Sequence, residues 1–222
     1  MDTTEKLTEI FKEFPGIGER QARRFAYFLM SRNSDYAKNL SGLISDLKKE
    51  VSQCKECFRF FILKDNKNKV CEICSDQNID SSILMIVEKD SDLESVKKSR
   101  VYHGKYFILG GLVPIIEKNT KKNVRIEELK EKISAKGAAP AKPGGQGSAS
   151  GGKKDNELKE IILAFALSPQ GNHTDFYVRS QLKDICGTLK IKISSLGRGL
   201  STGTELEYSD NDTIKNALKN RQ

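Results

Sequence analysis

The chain has 222 residues, of which 37% are hydrophobic and 31% charged, so it can bury a core in one or two domains of ordinary size. Its 38 lysines and arginines against 30 acidic residues give a formal net charge of +8, which favours a polyanionic partner such as DNA or RNA. The longest clean apolar run, Ile83 to Val87, is far shorter than the ~20 residues that cross a bilayer, so the sequence predicts no membrane span.

The start of the chain predicts two helices joined by a tight hairpin. Apolar residues at steps of three and four indicate amphipathic helices over about Glu5–Phe14 and about Glu19–Leu29. Between them, Pro15 stops the first helix, and Gly16 and Gly18 permit the positive φ angles of a sharp bend. This order of elements is a helix-hairpin-helix.

The hairpin carries the residues that we predict bind DNA. The amides of Gly16 and Gly18, with the first N–H groups of the second helix, form a phosphate-sized nest at the positive end of the helix dipole. Arg20 and Arg24 lie one turn apart on one face with Arg23 beside them, so guanidinium groups flank the same phosphate. The alternative is a plain helix connection with a solvated arginine face.

A third helix is predicted after Ser34 and Asp35. Its apolar residues recur at helical spacing, so we expect them to cover the first two helices and complete a domain over residues 1–53. They are Leu40, Leu43, Ile44, Leu47 and Val51.

Four cysteines follow as two close pairs, Cys54-x-x-Cys57 and Cys71-x-x-Cys74, with thirteen residues between the pairs. Two thiolates from each pair can face one tetrahedral ion, which predicts one structural Zn²⁺ per chain in a finger over residues 54–77. The alternatives are two disulfides or free core thiols. Because the chain opens without the basic and apolar segments of a signal peptide, we expect a reducing, cytoplasmic location, which favours the metal.

The next part of the chain predicts a small parallel α/β sheet over residues 78–196. Ser82–Val87 is a continuous apolar run of strand length. Further strands are expected at Tyr106–Leu109, at Glu160–Leu167 and around Ile191 and Ile193.

Helices are predicted between these strands. Ser91-Asp92-Leu93-Glu94 has the pattern of a capping box that opens one helix. Two others are expected over about Ile126–Ile133 and about Thr174–Ile185, the latter after a Ser168–Gly171 turn. Alternating strands and helices indicate a parallel sheet. A flexible insertion is expected over residues 135–155, and a C-terminal arm and helix over residues 197–222.

Glu88 ends the first strand of this sheet, where functional groups gather in open α/β folds. The loop after the third strand offers Ser168 and Gln170 rather than acids, whereas Mg²⁺ for phosphoryl transfer takes two or three carboxylates. We therefore predict no catalytic residue. The alternative is a Mg²⁺-dependent nuclease or nucleotidyl transferase that uses Glu88.

This order of modules resembles the RecR family of bacterial recombination mediators. The resemblance depends on five pieces of sequence: Pro15–Gly18 with Arg20 and Arg24, the four cysteines, Tyr102–Tyr106, Gly110–Pro114, and the segment from Arg198 to Glu207. It implies an α+β multi-module fold, with the helix-hairpin-helix, a four-cysteine zinc finger, a Toprim-like α/β sheet and a C-terminal extension. Gln170 departs from the acid usual in the family, and the insertion is not part of the family's usual pattern.

The resemblance also implies a function and partners. It implies a non-enzymatic homo-oligomer, from dimer to tetramer, that encircles or clamps double-stranded or gapped DNA in a nucleoid-associated complex. It implies partnership with RecO and RecF proteins in loading RecA, with Glu88 on the acidic Toprim surface that meets a partner. A different class of function, an RNA-binding zinc protein of the translation apparatus, is the further alternative.

Overall fold

A computed structural model describes residues 1–63, 69–115, 124–137, 157–197, 199–200, 203, 205–209 and 211–219. The chain divides into two units. The first holds Met1–Val51 and a short return that begins at Ile62, and the second holds Ser52–Phe61 and the described residues from Lys69 on. None of the described helices is both long and apolar enough to pass through a bilayer.

The first unit contains three helices, α1 (Thr3–Lys12), α2 (Glu19–Met30) and α3 (Ser34–Glu50). Helix α1 opens with a capping box, in which Asp2 and Glu5 each accept a hydrogen bond from the other's backbone N–H. Helices α1 and α2 pack against each other, as the predicted hairpin requires.

The contact between α1 and α2 is close because its central residues are small. Ala22 and Ala26 of α2 are fully buried. Beside them, the rings of Phe11 and Phe25 meet edge to face with their centroids 5.8 Å apart. The apolar pattern in the sequence therefore predicted this pair of helices correctly.

Helix α3 does not bury the apolar row that was expected to cover α1 and α2. Leu43, Ile44 and Leu47 are 60%, 56% and 54% exposed, and no residue of α3 is buried. The expectation was wrong because helical periodicity predicts that a face is apolar but does not identify what covers it. This row is an open apolar face of the single chain.

The chain from Val51 on begins with two short paired strands and continues as an α/β domain. In chain order its elements are β1 (Val51–Gln53), β2 (Phe60–Ile62), α4 (Glu72–Ser75), β3 (Asp80–Val87), α5 (Asp90–Ser99), β4 (Gly104–Ile108), α6 (Ile126–Gly137), β5 (Glu160–Ala164), α7 (Pro169–Leu189), β6 (Lys192–Ser195) and α8 (Asn211–Lys219). A 3₁₀ turn, Leu206–Tyr208, precedes α8.

The four longer strands form one parallel sheet in the order β4-β3-β5-β6. In the centre, Ile86 of β3 lies opposite Phe107 of β4 and Leu163 of β5, and all three side chains are buried. This confirms the predicted parallel α/β sheet. The continuous apolar run of β3 reflects its burial on both faces of the sheet.

The two faces of the sheet bury separate clusters of side chains. One cluster joins the sheet to α6 and α7 and includes Leu84, Ile86, Phe107, Leu129, Ile133, Ile161, Leu163, Val178 and Leu182. The other joins the sheet to α5 and to the cysteines and includes Cys54, Cys57, Cys71, Ile73, Met85, Val87, Leu93, Tyr106 and Ile108. The cysteine segment is therefore part of the core of the second unit.

The ends of β5 and α7 differ from the prediction. Strand β5 stops at Ala164, and α7 begins at Pro169 rather than near Thr174. The segment predicted as a turn is the helix start, since Ser168 Oγ accepts a hydrogen bond from the Gly171 N–H at 3.1 Å. A side chain at Gly171 would collide with the Ala166 carbonyl oxygen, so the backbone at Gly171 packs closely against that of Ala166.

Helix α5 is capped differently from the prediction. Its N-cap is Lys89, and Asp92 rather than Glu94 occupies the third position, where its carboxylate accepts a hydrogen bond from the Lys89 N–H at 3.3 Å. The predicted capping box from Ser91 to Glu94 is therefore wrong. Glu94 lies in the middle of the helix, where its carboxylate accepts a hydrogen bond from Arg59 at 2.8 Å.

The predicted insertion over residues 135–155 begins as helix, because α6 continues to Gly137. The rest of that segment lies outside the described residues, as does Arg198 from the resemblance. The predicted C-terminal helix is present as α8.

Candidate metal centre and nucleic-acid interface

The four paired cysteines meet at one point. The Sγ atoms of Cys54, Cys57, Cys71 and Cys74 all lie within 4.8 Å of one another. The Sγ atoms of Cys57 and Cys71 are 3.6 Å apart. Tetrahedral coordination with zinc–sulfur bonds of ~2.3 Å sets that separation at about 3.8 Å. All five cysteines of the chain are free thiols, which contradicts the disulfide alternative.

Two short loops, here called knuckles, position the four sulfurs. In the first, the Cys54 N–H bonds to the Arg59 carbonyl at 2.9 Å, and the Phe58 N–H bonds back to the Cys54 carbonyl at 3.0 Å. Phe58 closes this knuckle with a positive φ of 63°. In the second, Cys71 is the N-cap of α4, and its carbonyl accepts the Cys74 N–H at 3.0 Å. The four donors fit a closed zinc site, with no position for a substrate.

The crowding of the sulfurs changes their acidity. Hydrogen bonds from the other three thiols, that of Cys57 first, lower the pKa of Cys54. Contact with Cys54 raises the pKa of Cys71, but hydrogen bonds with Cys57 and Cys74 outweigh it and lower that pKa to about 7. Contacts with Cys54 and Cys71 raise the pKa values of Cys57 and Cys74, so a bound cation must displace protons from these two thiols.

The knuckles are attached to strand β4. The Ile108 N–H donates to the Cys57 carbonyl at 2.9 Å. Lys105 Nζ donates to the carbonyls of Ile73, Cys74 and Asp76 at 2.8, 3.3 and 2.9 Å, where it caps the end of α4. The sequence did not predict this role for Lys105 because its partners lie about thirty residues away along the chain.

The hairpin between α1 and α2 has the predicted positive φ at Gly16 but not at Gly18, where φ is −85°. Gly16 has a φ of +76°, and the Ile17 N–H bonds to the Phe14 carbonyl at 3.0 Å to close the bend. Gly18 is the N-cap of α2 and supplies no side-chain hydrogen bond. The first N–H groups of this twelve-residue helix therefore have no side-chain cap.

The three predicted arginines are all exposed, but their surroundings differ. Arg23 forms an ion pair with Glu19 at 2.9 Å and lines a groove that also contains acidic residues of α1. Arg24 makes one long hydrogen bond of 3.4 Å to Gln21. Arg20 has no hydrogen-bond or ion-pair partner within the described parts of the chain. Arg20 and Arg24 are thus the arginines most available to an anion.

Glu88 is half-buried at the end of β3, and its carbonyl accepts the Gly110 N–H at 2.9 Å. The neighbouring acids have structural roles, since Asp90 accepts the Phe60 N–H at 2.8 Å and Asp92 caps α5. Across the described residues, the cysteine quartet is the only group of three or more potential metal ligands that the fold brings together. No carboxylate cluster forms around Glu88 in that part of the chain.

Comparisons with known proteins point to one family. Residues 4–48 match the model of the RecR helix-hairpin-helix, and residues 199–222 match that of the RecR C-terminal region. A recombination protein RecR of Dehalococcoides mccartyi is 30% identical over 98% of this chain and 92% of its own length. Proteins of the same name from Legionella pneumophila and Lactobacillus acidophilus are each 27% identical, over 100% and 97% of this chain and 96% and 94% of their own lengths.

Proposed function

Because this chain belongs to the RecR family of recombination proteins, we propose that it is a non-enzymatic, DNA-binding protein of recombinational repair. The observation that carries the proposal is the hairpin, where an uncapped helix start lies beside two exposed arginines. Arg20 and Arg24 supply the cationic side chains, and the backbone of Gly16 and Gly18 lets a phosphate approach.

The glycines leave room for a ligand at this bend. A Cβ atom at Gly16 or Gly18 would meet no atom within 4 Å, so the backbone there faces open space. A phosphate can therefore reach the amides directly. The contact is to the sugar-phosphate backbone, which predicts binding without a preference for sequence.

The position of Arg20 and Arg24 at the hairpin, rather than the net charge of the unit, drives the contact with DNA. Residues 1–51 contain nine lysines and arginines against eight acidic residues, so they are nearly neutral. A neutral unit does not attract DNA through its overall field. The affinity of a single hairpin should accordingly be modest.

Several copies of the chain would raise that modest affinity. The open face of α3, formed by Leu43, Ile44 and Leu47, supports self-association, since exposed apolar rows of this kind mark protein interfaces. Linked copies multiply weak contacts to one DNA molecule. A dimer to tetramer that encircles or clamps double-stranded or gapped DNA is the form that we propose.

The remaining parts of the proposal follow from the family resemblance. The cysteine quartet holds one Zn²⁺ per chain, which keeps the knuckles in place and takes no part in chemistry. The surface around Glu88 meets RecO or RecF, and the complex helps to load RecA on gapped DNA. Membership of the family supports these partners. At the hairpin, Arg23 contributes less to DNA binding than Arg20 and Arg24, because Glu19 already pairs with it.

The Glu88→Gln variant separates this function from the nuclease alternative. Because no carboxylate cluster surrounds Glu88 in the described chain, we expect neither the wild type nor the variant to nick supercoiled plasmid in the presence of Mg²⁺. Affinity for a gapped duplex, measured by fluorescence anisotropy, should change by less than about twofold.

Glu131→Gln is the matched control, since Glu131 is an exposed acid on α6. Nicking by the wild type and by this control, lost in Glu88→Gln, would establish the enzyme and remove the proposal.

A further inference from the structure

One face of the parallel sheet is covered by α5 and by the knuckles. Doubly wound sheets usually place helices on both faces. Here Cys54, Cys57 and Cys71 are fully buried together with Leu93 of α5. The metal centre therefore occupies a place in the core that a second helix would otherwise fill.

A single arginine joins the two knuckles to α5. Arg59 follows the first knuckle by two residues and is only 7% exposed. Its Nη1 donates to Glu72 Oε1 at 2.7 Å, and its Nη2 donates to Glu94 Oε1 at 2.8 Å. Glu72 lies between Cys71 and Cys74 in the second knuckle, whereas Glu94 lies on α5. One guanidinium thus bridges both metal-binding loops and the helix.

Two more contacts support this bridge. The Phe60 N–H donates to Asp90 Oδ1 at 2.8 Å, and Asp90 is the first residue of α5. Lys97, near the other end of α5, pairs with Glu72 at 3.3 Å. The helix is therefore tied to the finger at its beginning, middle and end. The turn from Glu88 to Asp90, here called the acidic turn, leads directly into this helix.

We propose that Arg59 is a positioning residue that couples the metal centre to α5 and the acidic turn. The four thiolates fix the knuckles, the knuckles hold Arg59 and Glu72, and these two side chains hold α5. Filling the metal site should thus steady α5 and the acidic turn that leads into it. This step rests on the proposed function, because it treats Glu88 as a contact for another protein.

The Arg59 bridge should affect α5 more than α7. The guanidinium of Arg59 is buried with its Nε lacking a partner in the described chain, and its two Nη atoms donate to the carboxylates of Glu72 and Glu94. When the knuckles loosen, that charge is rehydrated most easily by releasing α5. The first knuckle also contacts the other face, where Phe58 packs against Phe107 and Lys132 of α6 donates to the Glu56 carbonyl at 2.7 Å. Helix α7 takes no part in the Arg59 bridge and should keep its packing.

Hydrogen–deuterium exchange of the zinc-loaded, full-length protein tests the coupling. In Arg59→Lys the charge is kept, but an ammonium cannot span both carboxylates. We expect amides of α5 to exchange about 10-fold faster than in the wild type, while amides of α7 change by less than about twofold. Zinc content should stay at one per chain, and transfer of zinc to a chelator should be faster. Lys98→Gln, an exposed charge on α5, is the matched control and should leave exchange unchanged.

Glu94→Gln provides a second variant that leaves both knuckles intact. It replaces the carboxylate at the α5 end of the bridge with a neutral amide, which weakens the bond from Arg59, so it should also loosen α5 with normal zinc content. Unchanged exchange of α5 in both variants, or an equal rise across α7, would overturn the coupling. These readouts need no DNA, so a failure of DNA binding in the proposed function would leave this result standing.

Discussion

A Cys57→Ser variant is expected to lose its zinc and to unfold at least about 10 °C below the wild type. Cys57 is fully buried, and its carbonyl holds Ile108 of the sheet, so the metal supports both the knuckle and the core beneath it. Serine has nearly the same size as cysteine but is a poor zinc ligand. The fall in unfolding temperature should therefore result from loss of the metal rather than from a cavity in the core.

Metal content by mass spectrometry and thermal unfolding by circular dichroism measure this effect. Cys186→Ser is the matched control, because Cys186 is also buried but lies on α7, outside the quartet. It should retain one zinc per chain and unfold closer to the wild type. Full zinc content in Cys57→Ser, or an equal fall in both variants, would contradict a structural four-thiolate site.

The double variant Arg20→Ala, Arg24→Ala should bind a gapped duplex about 10-fold to 100-fold more weakly at low salt. Both side chains are exposed beside the uncapped start of α2, where they can reach a phosphate that the amides hold. Because the contacts are to the backbone, the loss should be the same for all DNA sequences. The slope of log affinity against log salt should fall by about 2, one for each positive charge removed.

Fluorescence anisotropy over a range of salt concentrations gives both quantities. Lys38→Ala, Lys48→Ala is the matched control, since it removes two exposed positive charges from α3 in the same unit. An equal loss of affinity in the control would show that the general field, not the hairpin, binds DNA. Unchanged affinity in the arginine variant would count against the hairpin altogether.

The features predicted from the sequence were those set by short-range chemistry. The Cys-x-x-Cys pairs carry their own geometry, and the apolar run before Glu88 is characteristic of a strand buried on both faces. Glycines at positions 16 and 18 permit a positive φ at the bend, and Gly16 adopts one. In each case, the residues that decide the structure lie within a few positions of one another.

Some of the features that were missed or mispredicted depend on partners far away along the chain, and one is a local ambiguity. The local ambiguity is at Ser168 and Pro169, which suit a turn and a helix start equally. Arg59 gave no signal because its carboxylate partners lie 13 and 35 residues further along the chain. The open face of α3 was misassigned because the sequence shows an apolar row but not its partner.

The most direct test of DNA binding at the hairpin is a hydrogen–deuterium exchange footprint of the full-length protein with a gapped duplex. Bound phosphate covers the amides at the bend and at the start of α2, so peptides spanning Phe14–Arg24 should exchange more slowly with DNA than without it. Saturating DNA that leaves these peptides unchanged would contradict the account.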